Sequence, residues 1–111
     1  IVFHAEGGAV AQTVSWATRP TIDSYLILIM SVDSANALQA YVNGSLVGSV
    51  SGVGPISAAA AISYLGASSA PGSYDVSKPL FSGLFDGAFT ARQALEYSRF
   101  LDKVLNLGLG I

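Results

Sequence analysis

The chain has 111 residues, a length that suits one domain around one hydrophobic core. Hydrophobic residues make up 51% of it and charged residues only 11%, so apolar surface must be exposed or packed against another chain. The net charge is −2 and the five basic residues form no basic face, which argues against binding to nucleic acid. We therefore expect a homo-oligomer or a place in a larger assembly of protein chains; the alternative is a small, alanine-rich soluble domain.

The sequence also limits cross-linking and contact with membranes. It contains no cysteine, so disulfide bonds are excluded. The longest apolar run, residues 25–30, is far shorter than the roughly 20 residues that cross a bilayer. We therefore expect no insertion into a membrane.

The first third of the chain predicts three β-strands. Residues 2–5 predict a strand, residues 6–8 a turn, and residues 9–16 a return strand with imperfect alternation of apolar and polar positions. Trp16, at the end of the return strand, is expected in the core. Residues 22–32 are a near-continuous run of aliphatic and β-branched residues, which predicts a third strand buried on both faces.

The Asn43-Gly44 pair, between two alternating apolar runs, predicts a β-hairpin. A type I′ turn requires positive φ at both central residues, which asparagine tolerates and glycine allows. Residues 33–36 carry the turn residues that precede the hairpin. Alternation divides the first strand of the hairpin into two faces. One face consists of Leu38, Ala40 and Val42, and the other of Gln39 and Tyr41.

The middle of the chain mixes strand and loop signals. Residues 56–65 contain four consecutive alanines, but their flanking residues favour a strand, with a short helix as the alternative. Residues 67–78 are small, polar and interrupted by proline and glycine, which predicts a surface loop of the kind that often carries binding residues. Residues 80–89 predict a final strand whose glycines mark a bulge. Its expected core residues are Phe81, Phe85 and Phe89.

A capping box predicts the start of a C-terminal helix. The Thr90 hydroxyl can accept a hydrogen bond from the backbone of Gln93, and the Gln93 side chain can bond back to Thr90. Apolar residues then recur at helical spacing, which predicts a helix over residues 91–107 with Gly108 as its stop. We expect this helix to contact other subunits. The residues expected in that contact are Leu101, Val104 and Leu105.

Three motifs follow one another along the chain. They are residues 38–47 (LQAYVNGSLV), residues 62–67 (ISYLGA), and residues 81–89 (FSGLFDGAF) with the helix behind them. Their order resembles the laminin-G-like jelly-roll branch of the concanavalin A-like lectin/glucanase superfamily. The resemblance implies an all-β antiparallel sandwich with one C-terminal helix. Such sandwiches usually have longer chains, so we expect a C-terminal half, a reduced version, or a portion completed by another polypeptide.

The acidic residues argue against enzymatic activity. Glycosidases of this superfamily place carboxylates a few residues apart on one strand. In this chain no two acidic residues are closer than six positions. His4 and Glu6 share one strand face, but no nucleophile motif accompanies them, so we expect a structural pair. We therefore expect a non-catalytic protein.

Calcium is the one cofactor that we weigh. Ca²⁺ takes several oxygen ligands in flexible geometry, and turn residues at one end of a sandwich can supply them. The candidate ligands are Asp33 with Asn36, or Asp75 with Asp86. The default expectation is solvated turn aspartates and no cofactor. A single histidine and the lack of cysteine exclude a His/Cys metal site.

Two functions fit these features. The first is recognition of a carbohydrate or another cell-surface ligand, which needs an aromatic face with polar groups beside it. The candidate ligand-binding residues are Tyr74 and Asp75 in the predicted loop and Asn43 and Tyr41 on the hairpin. The second is a structural role, as a virion decoration, tail or surface-layer component that works through subunit contacts. Either function implies an extracellular or virion surface.

Overall fold

The structure of the 111-residue chain is a computed structural model, which describes residues 1–7, 10–18, 20–21, 23–54, 80–85 and 87–111. Contacts divide the chain into two compact units, one of Ile1–Ile56 with Gly87–Ile111 and the other of Ser57–Asp86. All helices and strands of the described residues belong to the first unit. The prediction of one domain over the whole chain stays a prediction.

Some of the predicted elements lie beyond what the structure describes. The strand predicted at residues 56–65 and the loop predicted at residues 67–78 are outside the described residues. Within the described part of the chain, no helix is both long and apolar enough to cross a bilayer.

The first two strands form an antiparallel pair, as the sequence predicts. Strand β1 is Val2–Gly7 and strand β2 is Val10–Ser15. Residues 6 and 7, which are predicted as part of a turn, therefore belong to β1 instead. Side chains alternate along β1, so Phe3 is buried whereas His4 lies on the exposed face.

The next three strands form a second antiparallel sheet. Strand β3 is Leu28–Val32, β4 is Leu38–Val42 and β5 is Ser45–Val50, in that spatial order. Asn43 and Gly44 between β4 and β5 have φ of 50° and 82°, the left-handed pair that a type I′ turn requires. The predicted hairpin is confirmed. With the C-terminal helix, the two sheets confirm a partial all-β sandwich.

The two sheets bury a shared hydrophobic core. Its buried members are Phe3, Ala5, Val14, Leu38, Ala40, Val42 and Val53. Ala40 of β4 lies opposite Gly48 of β5, and Val14 of the other sheet packs against this small pair. A β-carbon added at Gly48 would lie 2.5 Å from Val14 Cγ1, so the sheets approach as closely as glycine permits. Trp16 packs against the core and is partly buried.

The C-terminal helix α1, Ala91–Leu105, begins with the predicted capping box. The Gln93 N–H donates to Thr90 Oγ1 at 3.2 Å, and the Thr90 N–H donates to Gln93 Oε1 at 2.9 Å. Two backbone donors that the first helical turn cannot pair internally are thereby satisfied.

Helix α1 ends earlier than the predicted residue 107. Asn106 takes a left-handed φ of 53°, and its N–H donates to the Asp102 carbonyl. The Leu107 N–H donates to the same carbonyl at 3.0 Å. Asn106, and not Gly108, is therefore the stop, because asparagine tolerates the left-handed conformation that terminates a helix.

Helix α1 packs against the hairpin turn. A β-carbon added at Gly44 would lie 3.0 Å from Leu95 Cδ1 and 3.2 Å from Leu95 Cα. Ser98, further along the helix, is fully buried beside the same glycine, and its hydroxyl has no hydrogen-bond partner among the described residues. Gly44 is thus required twice, once for its positive φ and once for the close approach of the helix.

The third strand is shorter and more exposed than residues 22–32 predict. Strand β3 begins only at Leu28, and Leu28 and Met30 are 47% and 49% exposed. Their side chains lie on the core face of the sheet. They are nevertheless exposed, because β2 of the other sheet packs mainly against β4 and β5. The prediction of burial on both faces is therefore wrong, because β3 lies at the edge of its sheet.

The described residues of the predicted final strand do not form a strand. They are residues 80–85 and 87–89, and they contain no helix or strand. Gly87 has a φ of 116°, which interrupts an extended backbone. Phe81 and Phe85 are about half exposed, so their prediction as core residues is also wrong.

Replacing Gly44 by alanine is expected to destabilise the protein more than the same change at Gly108. Both glycines have a left-handed φ, but an added β-carbon meets Leu95 at Gly44 and nothing within 4 Å at Gly108. We expect Gly108→Ala to cost about 1 kcal/mol from backbone strain alone, and Gly44→Ala about 2–4 kcal/mol because the helix must also shift. Urea denaturation measures both losses. Equal losses would contradict the contact between helix and turn.

The Gly48→Ala variant tests the packing of the two sheets. Its β-carbon would overlap Val14 Cγ1, so we expect a loss of about 1–3 kcal/mol in the free energy of unfolding. Val14→Ala alone also destabilises, because it leaves a cavity. In the double variant the two changes partly offset each other, which a double-mutant cycle in urea should show as a favourable coupling energy. Strictly additive losses would rule the contact out.

Candidate functional site

The described residues form a groove between the three-stranded sheet and the segment that leads into α1. Its volume is about 410 Å³. That value lies within the range of roughly 300–1,000 Å³ that is typical of small-molecule sites. One wall consists of Asp33, Gln39, Tyr41, Leu46 and Ser49, and the other of Ala88, Phe89, Thr90 and Ala91.

The sheet wall of the groove follows from strand alternation. Gln39 and Tyr41 alternate with the core residues of β4, so they point to the opposite face of the sheet. Across the ladder they lie opposite Ser49 and Leu46 of β5. Gln39 and Tyr41 thus lie on the face opposite Leu38, Ala40 and Val42, as the sequence predicts.

Hydrogen bonds fix the other wall of the groove to the sheet and to the helix. The Phe89 N–H donates to Ser31 Oγ at 2.9 Å, and Ser31 is a buried residue of β3. The next residue, Thr90, is held by the capping box of α1. The segment is therefore anchored at both residues that precede the helix.

Three polar side chains of the sheet wall are connected by hydrogen bonds. Gln39 Nε2 donates to Asp33 Oδ2 at 3.3 Å, and the Tyr41 hydroxyl donates to Gln39 Oε1 at 3.5 Å. Asp33 Oδ1 also accepts from the N–H groups of Ala35 and Ala37, at 2.9 and 3.0 Å. Asp33 is the only acid among the described residues that line the groove, so these residues do not include the carboxylate pair of a glycosidase.

Tyr41, a predicted ligand-binding residue, reaches the groove but is almost wholly buried. It is 2% exposed, so its ring is not available as a platform for a sugar. Burial disfavours the charged phenolate and raises the pKa of Tyr41 above its ordinary value of 10.0. At neutral pH the hydroxyl therefore remains a donor to Gln39.

Asn43, a second predicted ligand-binding residue, serves the turn and the segment before β3. Its side-chain Oδ1 accepts from the Ile27 N–H at 3.0 Å, and its own N–H donates to the Ile27 carbonyl at 2.9 Å. Tyr74 and Asp75 lie outside the described residues. Of the four candidate residues, only Asn43 and Tyr41 are in the described part of the chain, and a ligand site built from all four stays a prediction.

The first pair of calcium candidates, Asp33 and Asn36, holds the turn between β3 and β4. The Asn36 N–H donates to the Asp33 carbonyl, and the Asn36 carbonyl accepts from Val53. Asn36 also takes a left-handed φ of 58°. Among the described residues, no three His, Cys, Asp or Glu side chains are grouped to hold a metal ion. Asp75 and Asp86 are outside that part of the chain, and calcium binding stays a prediction.

The three residues predicted for subunit contact differ in their exposure. Leu101 is buried and Leu105 is partly buried, whereas Val104 is 61% exposed. Of the three, Val104 is therefore the one that a second chain can reach most readily. Leu101 faces the interior of its own unit.

An aromatic strip joins Val104 to three aromatic residues, of which Tyr97 and Phe100 are not candidates in the sequence analysis. We define the aromatic strip as Phe89, Tyr97, Phe100 and Val104. The ring centroids of Phe89 and Tyr97 are 5.8 Å apart, and those of Tyr97 and Phe100 are 6.0 Å apart. Phe100 is 56% exposed. The i, i+3, i+7 spacing of its three helical members is the signal that could have revealed it.

Comparison with known proteins shows the fold alone. An S-layer domain-containing protein from Clostridium thermocellum ATCC 27405, solved over its residues 221–444, matches with a TM-score of 0.62 and 16% identity. The match covers 87% of this chain and 50% of that one, so the chain spans half the length of the structure that it matches. No protein-family model and no curated protein matches the chain. Membership in the concanavalin A-like superfamily stays a prediction.

The Tyr41→Phe variant is expected to be less sensitive to alkaline pH than the wild type. Because the folded-state pKa of Tyr41 is raised, its contribution to stability is full below the unfolded value of about 10 and is lost as pH rises through the folded value. Phenylalanine does not ionise, so the variant should not lose this stability. Urea denaturation at a series of pH values from neutral to above 10 measures the free energy of unfolding of both proteins, with Tyr25→Phe, at an exposed tyrosine, as the control. If the stability of Tyr41→Phe fell with rising pH as steeply as that of the wild type, the raised pKa of Tyr41 would be refuted.

Proposed function

We propose that this protein is a non-catalytic structural module of a cell surface, and that it works by binding further copies of its own chain. The fold supports this proposal, because the matching structure is that of an S-layer domain-containing protein. A surface-layer component is also one of the structural roles that the composition favours. Placement at a cell surface, rather than at a virion surface, rests on that neighbour.

The observation that carries the proposal is the apolar character of the exposed surface. Only 11% of the residues are charged. Large hydrophobic side chains of the first unit are about half exposed or more. They include Val2, Val10, Tyr25, Leu28, Met30, Leu46, Phe100 and Val104. This number of exposed apolar side chains, on a chain with so few charges, supports contact with further protein chains.

Recognition of a carbohydrate is the second candidate function. The observation in its favour is the groove, whose size suits a small ligand and whose lining includes Gln39, Ser49 and Thr90 as hydrogen-bonding groups. Two of the four predicted ligand-binding residues already have structural roles, because Tyr41 is buried and Asn43 bonds to Ile27. Assembly is therefore the better supported function.

Sedimentation velocity of the 111-residue chain over a wide range of concentration tests the proposal. We expect the average mass to rise with concentration, because the exposed apolar surface associates with further copies. A glycan array, probed with the wild type and with Tyr74→Ala, provides the comparison with the second function. A strictly monomeric chain, with glycan binding that Tyr74→Ala abolishes, would contradict assembly and favour recognition.

A further inference from the structure

Helix α1 presents two apolar faces, one buried inside its own unit and one that leaves two large side chains exposed. Ala94, Ser98 and Leu101 are buried against the rest of the unit. Phe100 and Val104 lie on another face and are 56% and 61% exposed. An exposed aromatic next to an exposed valine one helical turn later is unusual for a helix that serves only its own core.

Two opposite charges flank Phe100 on the same side of the aromatic strip. At about 100° per residue, Glu96 and Lys103 lie roughly 40° and 60° to one side of Phe100. Tyr97 and Val104 lie about 60° and 40° to the other side. Glu96 and Lys103 are both exposed. Around Phe100, the apolar side with Tyr97 and Val104 is therefore opposite a charged side, on which Glu96 precedes Phe100 and Lys103 follows it. Arg92 and Arg99 lie further round on the charged side, at about 80° and 100° from Phe100.

We propose that a second copy of this chain binds at this face, with the two α1 helices antiparallel and related by a two-fold axis at Phe100. The proposal rests on the proposed function and specifies its contact surface. This two-fold axis is perpendicular to the plane of the two helices. The charged side of one copy therefore meets the charged side of the other copy, with the order of residues along the helix reversed. Glu96 of one copy then meets Lys103 of the other, and Tyr97 meets Val104. Each contact occurs twice, around a central pair of Phe100 rings.

Charge complementarity selects the antiparallel arrangement. A parallel pair would place Glu96 and Lys103 of one copy against Tyr97 and Val104 of the other, so the charges would lose water without gaining partners. In the antiparallel pair each Glu96 lies between Lys103 of the second copy and its own Arg92, whose Nε donates to Glu96 Oε1 at 2.8 Å.

The pair is expected to be weak in solution. One exposed helix face buries less than the roughly 800 Å² per partner of a standard stable interface. Exposed ion pairs add little to the affinity, because water and salt screen them. Contacts of this strength become effective when many copies are held close together on a surface, since the local concentration is then high.

Reversal of each charge tests the arrangement. Glu96→Lys and Lys103→Glu each place like charges across the interface at two symmetric positions, so we expect each to raise the dimer Kd by about tenfold. The double variant restores opposite charges and should return the Kd to within about threefold of the wild type. Sedimentation equilibrium measures all three, with circular dichroism to show that each variant is folded.

Two further variants separate the interface from the helix itself. Arg92→Gln breaks the ion pair within α1 without entering the contact, and it should leave the Kd unchanged. Phe100→Ala removes the central ring and should abolish dimers at the concentrations where the wild type forms them. Association that none of the Glu96, Lys103 and Phe100 variants alters would overturn this interface while leaving the proposed function intact. A wild-type chain that is monomeric throughout would overturn both.

Discussion

The Asn43-Gly44 turn is the constraint on which the rest of the first unit depends. Its two positive φ angles reverse the chain so that β4 and β5 pair along their length. The Asn43 side chain and backbone both bond Ile27, which fixes the segment that enters β3. Gly44, having no β-carbon, admits helix α1 to within contact of the turn. One dipeptide thus positions three separate parts of the chain.

The candidate sites on the outer surface follow from that arrangement. With α1 held against the turn, the segment before the helix lies beside the outer face of the sheet, and the groove forms between them. The same contact uses the Leu95 and Ser98 side of the helix, which leaves Phe100 and Val104 exposed. The groove is lined by polar groups that already bond one another, whereas Phe100 and Val104 of the aromatic strip are exposed. Protein contact is therefore better supported than binding of a small ligand.

Local signals in the sequence predicted the parts of the fold that local chemistry decides. The Asn43-Gly44 turn and the Thr90 capping box each require particular residues at fixed spacing, and both are present. The prediction for β3 was wrong because burial depends on which strands the second sheet covers, and an apolar run does not contain that information. The helix stop was misplaced at Gly108 because Asn106 can adopt the same left-handed conformation two residues earlier.

The site was harder to predict than the fold for the same reason. Tyr41 and Asn43 were candidate ligand residues by type, but tertiary contacts bury the first and engage the second with the backbone. The helical spacing of Tyr97, Phe100 and Val104 can be seen in the sequence, but Phe89 lies outside the helix, so that spacing does not reveal its place in the aromatic strip. The most direct test of the central claim is nuclear Overhauser spectroscopy of Gly44. We predict strong cross-peaks between its α-protons and the δ-methyl protons of Leu95. An intact hairpin without those cross-peaks would contradict the account.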